Sequence, residues 1–140
     1  MNIKKVIISL RWLPALGVSA AIAWLTLAPH PLPENDIPWF EGADKVVHFI
    51  MFATLMATVV FGLHLSPGFR NASAQRPKRA LRGRILAGAL CVVIFAALDE
   101  WAQGAMQMGR SAETADFLAD LAGIAAITIA ALLYRHPKKG

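Results

Sequence analysis

Charge is scarce in this chain of 140 residues. Asp, Glu, Lys and Arg make up 16% of it, against about 25% in an ordinary soluble domain, while 56% is hydrophobic and the mean hydropathy is +0.50. That composition excludes a typical water-soluble domain. Cysteine is scarcer still: Cys91 is alone, so no internal disulfide forms, and it sits in an apolar run that says nothing of redox compartment. No H-x-x-x-H or Cys/His spacing marks a metal site, so neither metal nor cofactor is expected. No nucleophile motif is present, and Ser111 stands isolated. An inverted repeat or a pair of interrupted spans, as in a transporter, is also lacking. The length suits one domain over residues 1–140 and leaves no room for a separate catalytic module beside a membrane part.

Apolar runs are what the chain has in quantity. A bilayer core about 30 Å thick takes about 20 helical residues at 1.5 Å each. Four runs near that size stand between polar or proline-rich breaks: roughly 12–28, ended by Pro29, Pro31 and Pro33; 46–65, ended by Pro67 and Gly68; 85–103; and 116–134, stopped by Pro137. The expected fold is an all-α membrane protein, a compact four-helix transmembrane bundle. Lys4 and Lys5 ahead of apolar residues have the look of a signal peptide, but Arg11 interrupts the run and no small-x-small site ends it. The segment is therefore read as the first span.

The charges sort by sign. Lys4, Lys5 and Arg11 precede the first run. Arg70, Arg76, Lys78, Arg79, Arg82 and Arg84 lie in the basic stretch 66–84, read as a cytoplasmic loop, and Arg135, Lys138 and Lys139 follow the last run. Only Lys45 and Arg110 break the pattern, and all nine acids fall on the other side or in the helix ends facing it. By the positive-inside rule, both termini are cytoplasmic and the acidic side faces outward. The formal net charge of +5 is explained by this sorting and by attraction to anionic lipid, so no nucleic-acid partner is expected. Trp12 and Tyr134 near the inner surface, and Trp39 and Trp101 near the outer one, read as interfacial anchors. In the last span Ala115, Ala119, Gly123 and Ile127, with Ala122, Ala126 and Ala130, offer a small-residue packing surface.

Polar groups at the outer ends carry the functional signal, since each costs a few kcal/mol at the membrane edge unless paired or hydrated. Only Ile85 to Leu98 precede Asp99, about 21 Å of helix, so Asp99, Glu100 and Gln103 are drawn into the outer edge of the core. Asp44 and His48, four apart, share a face, as do Asp116 and Asp120; Glu100 and Gln103 are three apart. Arg110, in the short connection between the last two spans, adds a planar fork suited to carboxylate or phosphate.

The residues Asp44-Lys45-x-x-His48, Glu100-x-x-Gln103, Gly109-Arg110-Ser111 and Asp116-x-x-x-Asp120-x-x-Gly123 stand in this order on one side of the membrane. In this the chain resembles the VanZ-like family, small multi-span bacterial membrane proteins named for a member associated with teicoplanin resistance. The motifs cover about residues 44–124, and span number and length match over the whole chain. Three positions depart from the family pattern: Asp120 for the usual Asn, Met108 where a Pro often precedes Gly-Arg, and Phe52 for a frequent Tyr. The extra carboxylate at Asp120 makes the cluster more acidic.

The resemblance implies a role in the cell envelope and in glycopeptide-antibiotic response. Asp44, Lys45, His48, Glu100, Gln103, Arg110, Asp116 and Asp120 are then the candidate ligand-binding set. Arg110 and Lys45 would hold the phosphate of a membrane lipid or lipid-linked cell-wall intermediate, and Gln103 and the carboxylates would hold sugar hydroxyls or a peptide amine. Two alternatives use the same residues. In one, the cluster is an interhelical network capping the bundle of a protein that binds a second membrane protein, with Asp116 and Asp120 at the positive end of the last span, Arg110 on a carboxylate, and His48 bonded to Asp44 or Gln103. In the other, His48 is the general base and Glu100 or Asp120 its partner in a hydrolase or transferase acting on a lipid-linked phosphate or acyl group.

Overall fold

The computed structural model describes residues 10–28, 42–66, 77–106 and 113–134, with the side chains of 77–79 left aside. These residues are helical apart from turns and helix ends. Helix α1 is Leu13–Leu27, α2 is Ala43–His64, α3 is Pro77–Met106 and α4 is Thr114–Leu133. Three of them, α2, α3 and α4, are long and apolar enough to cross a membrane. The 15 residues of α1 rise only about 22 Å.

Local chemistry sets the ends. Pro14 stands in the first turn of α1, where its missing N–H is no loss, and Ala28 turns extended just ahead of Pro29. Gly42 starts α2 with φ of 83°, a left-handed conformation that glycine adopts without steric cost. Asp44 and Asp116 lie in the first turns of α2 and α4, where a carboxylate favours the positive end of the helix dipole.

Two boundaries differ from the sequence reading, in the same sense. Helix α2 begins three residues before residue 46, so Asp44 and Lys45 belong to its first turn. Helix α3 begins at Pro77 and not at residue 85, so Lys78, Arg79, Arg82 and Arg84 are on a helix and not in a loop. Hydrophobicity marks where a span can lie in lipid, whereas a helix of good formers such as Lys, Arg, Leu and Ala runs on into water.

The helices alternate in direction. Trp12, at the start of α1, lies on Gly62 near the end of α2, and Thr26, near the end of α1, meets Asp99 in the last third of α3. His48 in α2 meets Asp120 in α4, so the end of α3 and the starts of α2 and α4 share one end of the bundle. Helices α2 and α3 pack on each other and on both α1 and α4. The core joins Ile22, Phe52, Leu55, Met56, Ile85, Val92, Ala96 and Ile124, with the Phe52 and Phe95 rings 6.0 Å apart.

The tightest approach is between α2 and α4. A Cβ on Gly123 would lie 2.4 Å from the Phe49 carbonyl oxygen and 2.9 Å from the Ala53 nitrogen, so the two backbones touch where no other residue fits. Gly123 thus packs as the sequence implies. Ala115, Ala122, Ala126 and Ala130 do not: they are exposed, on the face of α4 turned away from the other helices. Trp101 and Tyr134 are exposed near helix ends, as anchors require, whereas Trp12 packs its ring against α2; Trp39 lies outside the described residues.

Candidate functional site

At the end of the bundle where α2 and α4 begin lie all the buried charged side chains among the described residues. His48, Asp99, Gln103, Asp116, Asp120 and Thr26 are each less than 9% exposed, and all four helices contribute. Helical spacing explains the convergence. Lys45 and His48 are three apart on α2, Asp99 and Gln103 four apart on α3, and Asp116 and Asp120 four apart on α4, so each of these three helices turns two polar groups to one side, while α1 adds Thr26.

Three linked arrangements make up the cluster. The first is centred on Lys45, whose Nζ lies 2.6 Å from Asp44 Oδ2, 3.0 Å from Glu113 Oε2 and 3.1 Å from Asp116 Oδ1. These three carboxylates have the mutual spacing of metal ligands, with atoms within 4.8 Å of one another, and the ammonium of Lys45 sits among them. The second is the pair of His48 and Asp120, with Nδ1 to Oδ1 at 3.0 Å and both side chains buried; His48 Nε2 is 4.0 Å from Asp116 Oδ2, beyond hydrogen-bond reach. In the third, Asp99 Oδ2 accepts from the Gln103 amide at 3.2 Å, while the Thr26 hydroxyl lies 2.9 Å from both Asp99 Oδ1 and the Ile22 carbonyl. That hydroxyl has one proton to donate, and the two acceptors share it.

Glu100 stands apart. Both of its carboxylate oxygens are sealed from solvent without a hydrogen bond of ordinary geometry among the described residues, although the backbone N–H of Glu113 lies near. Among the described residues of this end, Asp44, Asp99, Glu100, Glu113, Asp116 and Asp120 outnumber Lys45 and His48, and low dielectric strengthens that excess.

Of the candidate residues, the structure brings together Asp44, Lys45, His48, Glu100, Gln103, Asp116 and Asp120. Arg110, with Gly109 and Ser111, lies outside the described residues. Two partnerships differ from expectation and a third falls to one of the alternatives. Gln103 bonds Asp99 and not Glu100; Lys45 is engaged by three carboxylates, which leaves its charge committed within the protein; and His48 bonds Asp120 on α4, the partner named with Glu100 in the hydrolase alternative, and not the Asp44 or Gln103 of the capping alternative. In each case a partner is chosen by which helix lies opposite, information that spacing along one helix does not contain. Sequence reasoning left Asp99, Glu113 and Thr26 out of the site. The four-residue spacing of Asp99 and Gln103 was a usable signal, whereas a single Thr near the end of an apolar run gives none. Compared with protein-family models, curated proteins and solved structures, the chain matches none, so its resemblance to the VanZ-like family rests on the motif residues themselves.

Proposed function

We propose that the chain is a VanZ-like, multi-pass protein of the bacterial inner membrane, with four spans and both termini cytoplasmic. Its outward-facing polar cluster binds the headgroup of an anionic lipid or a lipid-linked cell-wall intermediate, and through that ligand the protein influences envelope or glycopeptide-antibiotic response. The observation that carries this reading is the burial of ionisable groups from α2, α3 and α4 at one end of an apolar bundle. A network of this kind adds little net stability, because desolvation offsets the Coulombic attraction, and Glu100 is not satisfied within it. A span at α1 is supported by its two contacts: Trp12 at the level of Gly62 and Thr26 at the level of Asp99 make it run alongside the length of its neighbours.

The engagement of Lys45 divides the roles. Phosphate falls to Arg110, while Gln103 and the carboxylates suit sugar hydroxyls or a peptide amine. Native mass spectrometry of gently extracted protein tests this, comparing wild type with Arg110→Ala and Glu100→Gln at matched helicity. A lipid lost only in the variants supports the reading. Retention of the same lipid in Arg110→Ala, or no bound lipid with a large loss of stability in either variant, overturns it and leaves the cluster as a structural cap for a protein partner.

One observation favours a second reading. Asp120 holds His48 by Nδ1 and leaves Nε2 without a hydrogen-bond partner among the described residues, the arrangement of an oriented general base. Hydrolysis of polyprenyl phosphates above the level of a His48→Ala control supports it, and equal rates dismiss it.

A further inference from the structure

The opposite end of α3 carries a second, independent surface. The helix is continuous over 30 residues, about 45 Å, which exceeds the hydrocarbon core by about 15 Å. Its polar cluster fixes how it lies. From Arg84 to Asp99 is about 22 Å along the axis, and from Arg82 to Gln103 about 31 Å, so the two arginines stand roughly one core thickness from Asp99 and Gln103. With a hydrocarbon core about 30 Å thick, that puts both near the opposite boundary of the core, from which a long arginine side chain reaches outward to lipid phosphate.

The packing of α3 also fixes where they point. Leu81 packs against the core and Ile85 is 1% exposed, so the buried line of the helix runs through both. Arg82 follows Leu81 by one residue and Arg84 precedes Ile85 by one, which turns each about 80° from the middle of that line, on opposite flanks. Both are exposed, and neither pairs with a carboxylate among the described residues. Guanidinium forks placed at phosphate level and free of internal partners match lipid phosphate in geometry and charge.

We propose that Arg82 and Arg84 each bind an anionic phospholipid headgroup, one on either flank of α3, at the end of the bundle opposite the polar cluster. This makes the bundle sensitive to leaflet composition without involving the acidic end. The test uses the full chain in nanodiscs of phosphatidylcholine and phosphatidylglycerol at 3:1, with the lipids retained after release identified by native mass spectrometry. Wild type is expected to retain phosphatidylglycerol in excess of its share. R82Q/R84Q loses that excess, by about fivefold for each guanidinium removed. R82K/R84K, which keeps the charge, retains most of it, and K138Q/K139Q, an equal charge removal elsewhere, leaves it intact. An unchanged excess in R82Q/R84Q overturns the proposal, as does an equal fall in K138Q/K139Q, the sign of a general charge effect and not of this surface.

Discussion

At one end of the bundle His48, Asp99, Asp116 and Asp120, from three helices, are buried together; at the other, Arg82 and Arg84 of α3 stand exposed, with no carboxylate partner among the described residues. The acidic end is costly to build, because each buried carboxylate must find a donor inside the protein, and it is held by tertiary contacts such as His48 with Asp120 and Thr26 with Asp99. The basic end needs no such contacts, since exposed guanidinium groups keep their hydration or meet lipid phosphate. A polar group in a membrane bundle is thus either a tertiary feature, sensitive to every neighbour, or an independent surface feature, and the two kinds respond differently to mutation.

Substitutions sharpen this contrast in order of expected size. The largest effect is at Gly123, because any Cβ there runs into the Phe49 carbonyl. Gly123→Val should lower stability by about 3 kcal/mol or more by forcing α2 and α4 apart, read by denaturant unfolding in micelles; a change below about 1 kcal/mol would show that the helices slide past the clash. Next comes Asp120→Ala, which strands His48 in the core. A loss of about 1 to 2 kcal/mol is expected, with part regained in the Asp120→Ala/His48→Leu double variant. If the double variant is as damaged as the sum of the two single ones, the pair is not coupled.

Thr26→Val tests whether the short α1 is tied to the acidic end. A cycle with Asp99→Asn should give a coupling of about 0.6 kcal/mol, typical of interhelical hydrogen bonds in membranes. Zero coupling would detach α1 from the cluster. Lys45→Met removes a partly exposed side chain, so its effect is read locally, as faster amide exchange at Glu113 and Asp116 without change in the core of α2. Smallest of all, R82Q/R84Q should leave unfolding within about 0.5 kcal/mol of wild type, as exposed positions do. A larger change would mean that the basic end is not independent after all.

Much of the acidic end was legible in the sequence because carboxylates, a His and a Gln at the edges of apolar runs are conspicuous against their surroundings. Membership of the cluster followed from depth alone for Asp116, Asp120, His48, Glu100 and Gln103. Partnership did not follow, since Asp44 and Asp120 are equally plausible partners for His48 until α4 is laid against α2 by the backbone contact at Gly123. Thr26 was hidden for the opposite reason: a threonine satisfies itself on its own helix through the Ile22 carbonyl, so nothing in the sequence marks it as reaching Asp99. The small-residue face of α4 was legible as a set but not by its members, because Ala122, Ala126 and Ala130 are as small as Gly123 and lie on the wrong side.

The sequence by itself determined that the chain is helical, that its apolar runs suit a bilayer, and that acidic and basic groups fall at opposite ends. These follow from hydrophobicity and spacing along one helix, which are local quantities. Only the tertiary structure decided that Lys45 is held among three carboxylates, that His48 belongs to Asp120, and that α1 reaches Asp99. Each of those is a distance between helices, set by which backbones can touch, and the close approach allowed by Gly123 brings α4 onto α2.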